Sequence, residues 1–183
     1  MKYNFDEKDY LPRRDFDDNN FKILWQLDNY EVVFENMINY LVKFKRYFQH
    51  EASKFSRAFK GNEQKEIDFL HTKLIATSDE EMIILIFNIV TTIYRDKMFD
   101  FLKIILDKNC DIELFKRLDF YTSATVTMGS RLPKMQYELS QFEKVKQFLD
   151  SQNNINYYEF IEFIERNIMY SKMSIERERR ICK

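Results

Sequence analysis

The sequence predicts an all-α protein, and three observations carry that expectation. The chain has two glycines and two prolines in 183 residues, where ordinary usage gives about twenty of them. Those residues make tight turns, bulges and sheet corners, so a chain short of them builds with helices and short polar connections. Apolar residues recur at three- and four-residue steps through much of the chain, which is the period of an amphipathic helix. Serine and asparagine stand ahead of two of these runs, where helix caps belong. Together these predict one domain over residues 21–183, an irregular helical bundle or short HEAT-like stack of about seven helices. A flexible acidic arm, 1–20, precedes it.

The arm holds six acids, four bases and Pro12, with no period. A short helix with Trp25 is expected around Phe21 to Leu27. From Tyr30 to Lys60 the apolar positions Phe34, Met37, Ile38, Leu41, Phe44, Phe48, Ala52, Phe55 and Phe59 mark one face of a long helix. Gly61 ends it, in the usual place of a left-handed cap. Glu63 to Ala76 reads as a helix burying Ile67, Leu70 and Leu74. Ser78-Asp79-Glu80-Glu81 reads as a capping box opening a helix to about Tyr94. Met82 to Phe87 is apolar nearly all round, so this is the expected central helix.

Residues 96–108 and 111–121 look like a helix pair joined at Asn109-Cys110. TSATVTMGSR is small, polar and β-branched, which makes 122–130 the main loop. Pro133 suits the first turn of the next helix, which runs to about Asp150 with Leu132, Met135, Leu139, Phe142, Val145 and Leu149 on one seam. Asn156-Tyr157-Tyr158-Glu159 is a second cap signal. The last helix then turns Tyr157, Ile161, Ile164 and Ile168 inward, and past Met173 it thins to a charged end.

A composition 45% hydrophobic and 32% charged is globular. With 18 Phe against one Trp, the core is built from Phe, Ile and Leu. The formal charge of -1 removes any bulk attraction to nucleic acid or membrane. Cys110 and Cys182 lack metal-ligand spacing and suit free thiols in a reducing cytosol. The opening MKYNFDEKDY is acidic and not a signal peptide, and Met82 to Phe87 is too short to span a bilayer. A cytoplasmic protein without membrane contact is expected.

Each candidate for chemistry has a plainer reading beside it. Arg46 and His50 have three residues between them, whereas helical ribonucleases of the HEPN group have four to six and a polar residue where Tyr47 stands. His50 reads instead as a partly exposed residue of a basic helix face. His71 has only Asp68 one turn back, which does not make a metal site. Glu159, Glu162 and Glu165 form a ladder that is most simply a solvated face, and no ExxH pairing exists for a di-iron bundle. Gly61 and Gly129 are too far apart for a phosphate loop, dinucleotide motif or nucleophile elbow. No catalytic residue, metal or cofactor is expected.

Lys43, Lys45, Arg46, Lys54, Arg57 and Lys60 face only Glu51 as a counter-charge, and aromatics are interleaved with them. That pattern suits nucleic acid or phosphate, but Phe44, Phe48, Phe55 and Phe59 fall on the buried stripe and read as core. Arg177, Arg179, Arg180 and Lys183 suit a helix C-terminal dipole.

The run Gly129-Ser130-Arg131-Leu132-Pro133-Lys134-Met135-Gln136, the aromatic Phe142, a second amphipathic helix and the charged end Ile175 to Lys183 carry a resemblance. Residues 79–183 resemble the C-terminal helical region of bacterial STAND-type NTPases of antiviral defence. In those a Gly-Ser-x-x-Pro turn leads into a closing helix pair. Val126-Thr127-Met128 stands where that family has tryptophan, and the NTPase core is missing. The resemblance implies a helical sensor or scaffold surface and transfers no functional residue.

The expected function is a non-enzymatic protein–protein interaction module, in bacterial antiviral defence or its inhibition by phage. The contact surface is expected on loop 122–135 and the exposed face of the final helices. Tyr121, Met128, Arg131, Met135 and Tyr137 are the anchors, residue types favoured in interface cores. The plainer reading makes 122–130 a connection and Met135 core. The alternative function is nucleic-acid or phosphate binding by the basic helix 43–60.

Overall fold

The computed structural model describes residues 63–108, 111–120 and 131–181. These are 88% helical, contain no strand and form six helices, so the all-α class predicted from the sequence holds. The N-terminal arm, the helices expected before Gly61, the loop 122–130 and both cysteines lie outside the described residues. In chain order the helices are α1 (Glu63–Ala76), α2 (Glu80–Ile93), α3 (Met98–Asp107), α4 (Ile112–Lys116), α5 (Arg131–Ser151) and α6 (Tyr158–Ile181). Single 3-10 turns, Arg95–Lys97 and Ile155–Tyr157, lead into α3 and α6. The chain divides into two units, Met1–Leu85 and Ile86–Lys183, with the boundary inside α2.

In the first unit, α1 buries Ile67, Leu70 and Leu74, the predicted stripe, and Glu66 beside it. Its acids Glu63 and Glu66 sit in the first turn and Lys73 in the last, each matching the helix dipole. The cap of α2 is shifted by one residue from the expected serine. Asp79 Oδ1 accepts from the Glu81 N–H at 2.9 Å and from the Met82 N–H at 3.4 Å. A carboxylate at the positive end of a helix is a stronger acceptor than a hydroxyl. Along α2, Ile83 through Phe87, Ile89 and Val90 are all buried, as a helix apolar on every side requires.

The core of the second unit is aromatic. Phe115 is fully buried, and its ring centre lies 4.7 Å from Phe160, 5.5 Å from Phe120 and 6.1 Å from Phe163. Phe87 adds an edge contact with Phe120 at 5.5 Å. All four distances fall in the favourable range for ring pairs. This cluster also explains a departure from the sequence reading. A helix over 111–121 was expected, but α4 stops at Lys116. Leu118 and Phe120 are both buried, and a continuing helix would not turn both side chains inward at that spacing. The burial of Phe120 between Phe87 and Phe115 outweighs the propensity to extend α4. The start of α4 is well fixed: Asp111 is extended (φ -83°, ψ 169°) and its carboxylate accepts from the Leu114 N–H at 2.7 Å.

The turn between α5 and α6 differs from expectation in the same way as the α2 cap. Asn154, not Asn156, is the capping residue, accepting from the Asn156 N–H at 3.0 Å. Asn153 just before it has φ 48°, the left-handed region that asparagine tolerates better than most residues. The 3-10 turn that follows delivers Tyr157 into the core, where it is buried against Phe160. Burial and the neighbouring Asp107 carboxylate raise its hydroxyl above the ordinary 10.0, with the Asn154 hydrogen bond opposing.

Candidate functional site

The helices α5 and α6 form an antiparallel pair. Arg131 Nη1 lies 3.6 Å from Glu178 Oε2 at one end, and Lys146 Nζ lies 3.2 Å from Glu165 Oε1 nearer the other. Between them Lys172 Nζ meets Glu143 Oε1 at 3.2 Å. Such partly exposed pairs are each worth about 0–1 kcal/mol, so they set register more than stability. The apolar seam supplies the stability. On α5 it is Phe142, Val145 and Leu149, with Gln141 beside them. On α6 it is Phe160, Ile164 and Ile175. The expected inner residues Ile161 and Ile168 are only half-buried, because Phe160 and its contact with Phe115 set the rotation of α6.

Beside this seam, a groove of about 770 Å³ runs along the helix pair. Its lining combines the apolar Ile168, Met169 and Met173 with the charged Glu143, Lys146, Lys172 and Glu176. Lys146 also bonds Asp150 Oδ2 at 2.8 Å. The hydrogen bonds to Asp150 and Glu165 hold its ammonium above the ordinary 10.5, so it is a fixed cation at neutral pH. Next to the groove, Met169 is 50% exposed, Tyr170 60% and Met173 60%. Side chains of this size left in water at three- and four-residue spacing form an apolar patch inside a charged face.

The sequence-predicted anchors are distributed differently. Arg131 is exposed at the start of α5, with Glu178 as its partner. Met135 and Tyr137 are half-buried on the same helix. Tyr121 and Met128 lie outside the described residues, as does the whole basic set Lys43, Lys45, Arg46, Lys54, Arg57 and Lys60. The sequence reading also places the contact surface on the exposed face of the final helices, which on α6 includes Met169, Tyr170 and Met173. That reading does not name these three residues, since an amphipathic pattern shows which face is buried more clearly than how exposed each outer residue is.

Of the other candidates, His71 is exposed, and Asp68 accepts a hydrogen bond from Gln64 Nε2 at 2.8 Å. Among the described residues no group of three or more His, Cys, Asp or Glu side chains has an arrangement to hold a metal ion. Glu159, Glu162 and Glu165 are exposed, with Glu162 3.8 Å from Arg166 and Glu165 on Lys146. No described helix is long and apolar enough to cross a membrane. Comparison with protein-family models, with curated proteins and with solved structures gives no match.

Proposed function

We propose that the chain is a non-enzymatic protein–protein interaction module of the cytoplasm, and that the outer face of α6 beside the α5–α6 groove is its contact surface. One observation carries the reading. Met169, Tyr170 and Met173 are half or more exposed on a helix whose opposite face buries Phe160, Ile164 and Ile175. Methionine and tyrosine are enriched at interface centres because one adapts its shape and the other combines a large ring with a hydroxyl. The charged residues that line the groove beside them supply polar contacts of the kind that surround interface centres. A role in bacterial antiviral defence, or in its inhibition by phage, rests on the resemblance of the Gly129–Gln136 run and the closing helix pair.

The test is affinity capture with the tagged full-length chain from cells that express it, with and without nuclease, beside a Met169→Glu/Met173→Glu variant. The expected result is a stoichiometric protein that survives nuclease and is lost with the variant. Recovery of nucleic acid alone, or a partner indifferent to both substitutions, overturns the proposal.

A further inference from the structure

We infer that the occupant of the outer face of α6 is a second copy of this chain, laid antiparallel across a two-fold axis at the level of Ser171. This rests on the reading of that face as a protein contact surface and names its partner. The buried positions of α6, Phe160, Ile164 and Ile175, lie on one side of the helix. On the other side Glu162, Arg166, Met169, Met173, Glu176 and Arg180 follow one another at steps of four, three, four, three and four, and all six are exposed. That alternation is the spacing of a coiled-coil seam, here made of exposed residues.

The order of charges along the seam is complementary to its own reverse. Under a two-fold at Ser171, residues equally far from it on either side meet. Glu162 faces the second copy's Arg180, Arg166 faces its Glu176, and Met169 faces its Met173, each pair occurring twice. These are the layers that an antiparallel helix pair forms between its two seam positions. The methionines meet at the centre and the charges bracket them. Exposed Glu165 lies on the same flank as the second copy's Arg179, and the two Tyr170 rings lie on the other flank beside the axis. A parallel copy in register would set glutamate on glutamate and arginine on arginine in four of the six layers. Sliding an antiparallel copy by one seam step sets methionine against charge. The sequence of the face therefore selects one orientation and one register. The surface is self-complementary, as a two-fold interface must be.

The association is weak and salt-sensitive. One helix pair gives an interface at the low end for specific contacts, below about 1,200 Å² in total, and exposed ion pairs are screened within about 10 Å at 0.1 M salt. The test is sedimentation equilibrium of the full chain from about 1 μM to about 1 mM, the span of weak affinities. The expected mass rises with concentration from 22.6 kDa toward twice that value, and the rise is smaller in high salt. Arg166→Glu alone and Glu176→Arg alone each create two like-charge layers and weaken dimerisation by at least about tenfold. An equimolar mixture of these two variants restores the dimer, because every layer in the mixed pair is again opposite in sign. The Arg166→Glu/Glu176→Arg double variant restores it within one chain. A wild-type chain that stays at 22.6 kDa throughout, or single variants that associate as the wild type does, overturns the second copy. A monomer that still captures a nuclease-resistant protein leaves the interaction module standing with a different partner. Neither self-association nor capture removes both.

Discussion

Replacing Phe115 with alanine removes the ring on which the second unit is organised. The side chain has no exposure and meets three other rings, from α6 and from the segment after α4. Phe→Ala in a core costs about 3–5 kcal/mol, the spread reflecting how far the site collapses. Collapse is limited here because Asp111 pins the start of α4 through the Leu114 amide and Phe120 is held independently by Phe87. The loss is therefore expected in the upper half of the range, about 4 kcal/mol. With a urea slope of about 2 kcal/mol/M, the unfolding midpoint falls by about 2 M. The assay is urea unfolding followed by the helical signal at 222 nm, to which α5 and α6 contribute 21 and 24 residues. Phe115→Leu keeps most of the buried area and loses the ring pairs, so it should cost about 1–1.5 kcal/mol. A loss below about 1.5 kcal/mol for alanine, or equal losses for alanine and leucine, refutes the role given to the ring cluster.

Three smaller perturbations test local features. Asp111→Ala removes the side-chain acceptor that caps the five-residue α4 and should cost about 0.5–2 kcal/mol in the same urea assay. Asn153 sits at φ 48°, so Asn153→Ala should lower stability by about 1 kcal/mol while Asn153→Gly stays within a few tenths. Glu138 is raised above its ordinary 4.5, first by burial and then by the Asp119 carboxylate, with Lys134 opposing. It binds its proton more tightly folded than unfolded, so its contribution to stability falls as pH rises from about 4.5 through the raised value. Glu138→Gln should flatten that fall and gain on the wild type above it, measured as urea midpoints across the acid range.

The boundary of what the sequence makes legible follows the reach of each force. Gly and Pro scarcity and a 3.6-residue apolar period are local, and they identify α1 and α2 nearly to the residue. The buried positions Ile67, Leu70 and Leu74 are all readable in advance. Caps are read one or two residues off, at Asp79 instead of Ser78 and at Asn154 instead of Asn156. Several polar residues are adjacent at both turns, and only the backbone path decides which oxygen reaches an amide. The early end of α4 is not readable at all. Residues 111–121 carry a helical pattern, and what breaks it is Phe120 meeting rings from α2 and α4, a contact invisible to any local window. Of the inner face read for α6, Tyr157 and Ile164 are buried, while the same ring cluster buries Phe160 and leaves Ile161 and Ile168 half-buried.

The rotation of α6 links the core to the candidate site. Because Phe160 and Ile164 fix one side of α6, the residues two positions on, Glu162 and Arg166, are carried to the opposite side, and Met169, Met173, Glu176 and Arg180 follow at the same spacing. A rotation centred on Ile161 and Ile168 instead of Phe160 and Ile164 would turn the helix by about 70° and carry Met169 toward α5. The outer face is thus a consequence of aromatic packing on the inner one. The length of α6 adds to this. Ile175 is buried near its charged end, and Glu178 takes Arg131 from the start of α5, so the last turns are held against α5 and do not stand free. A face presented on a helix anchored at both ends loses little conformational freedom on binding. This allows a contact of two methionine layers and four charge layers to hold a single register with modest area.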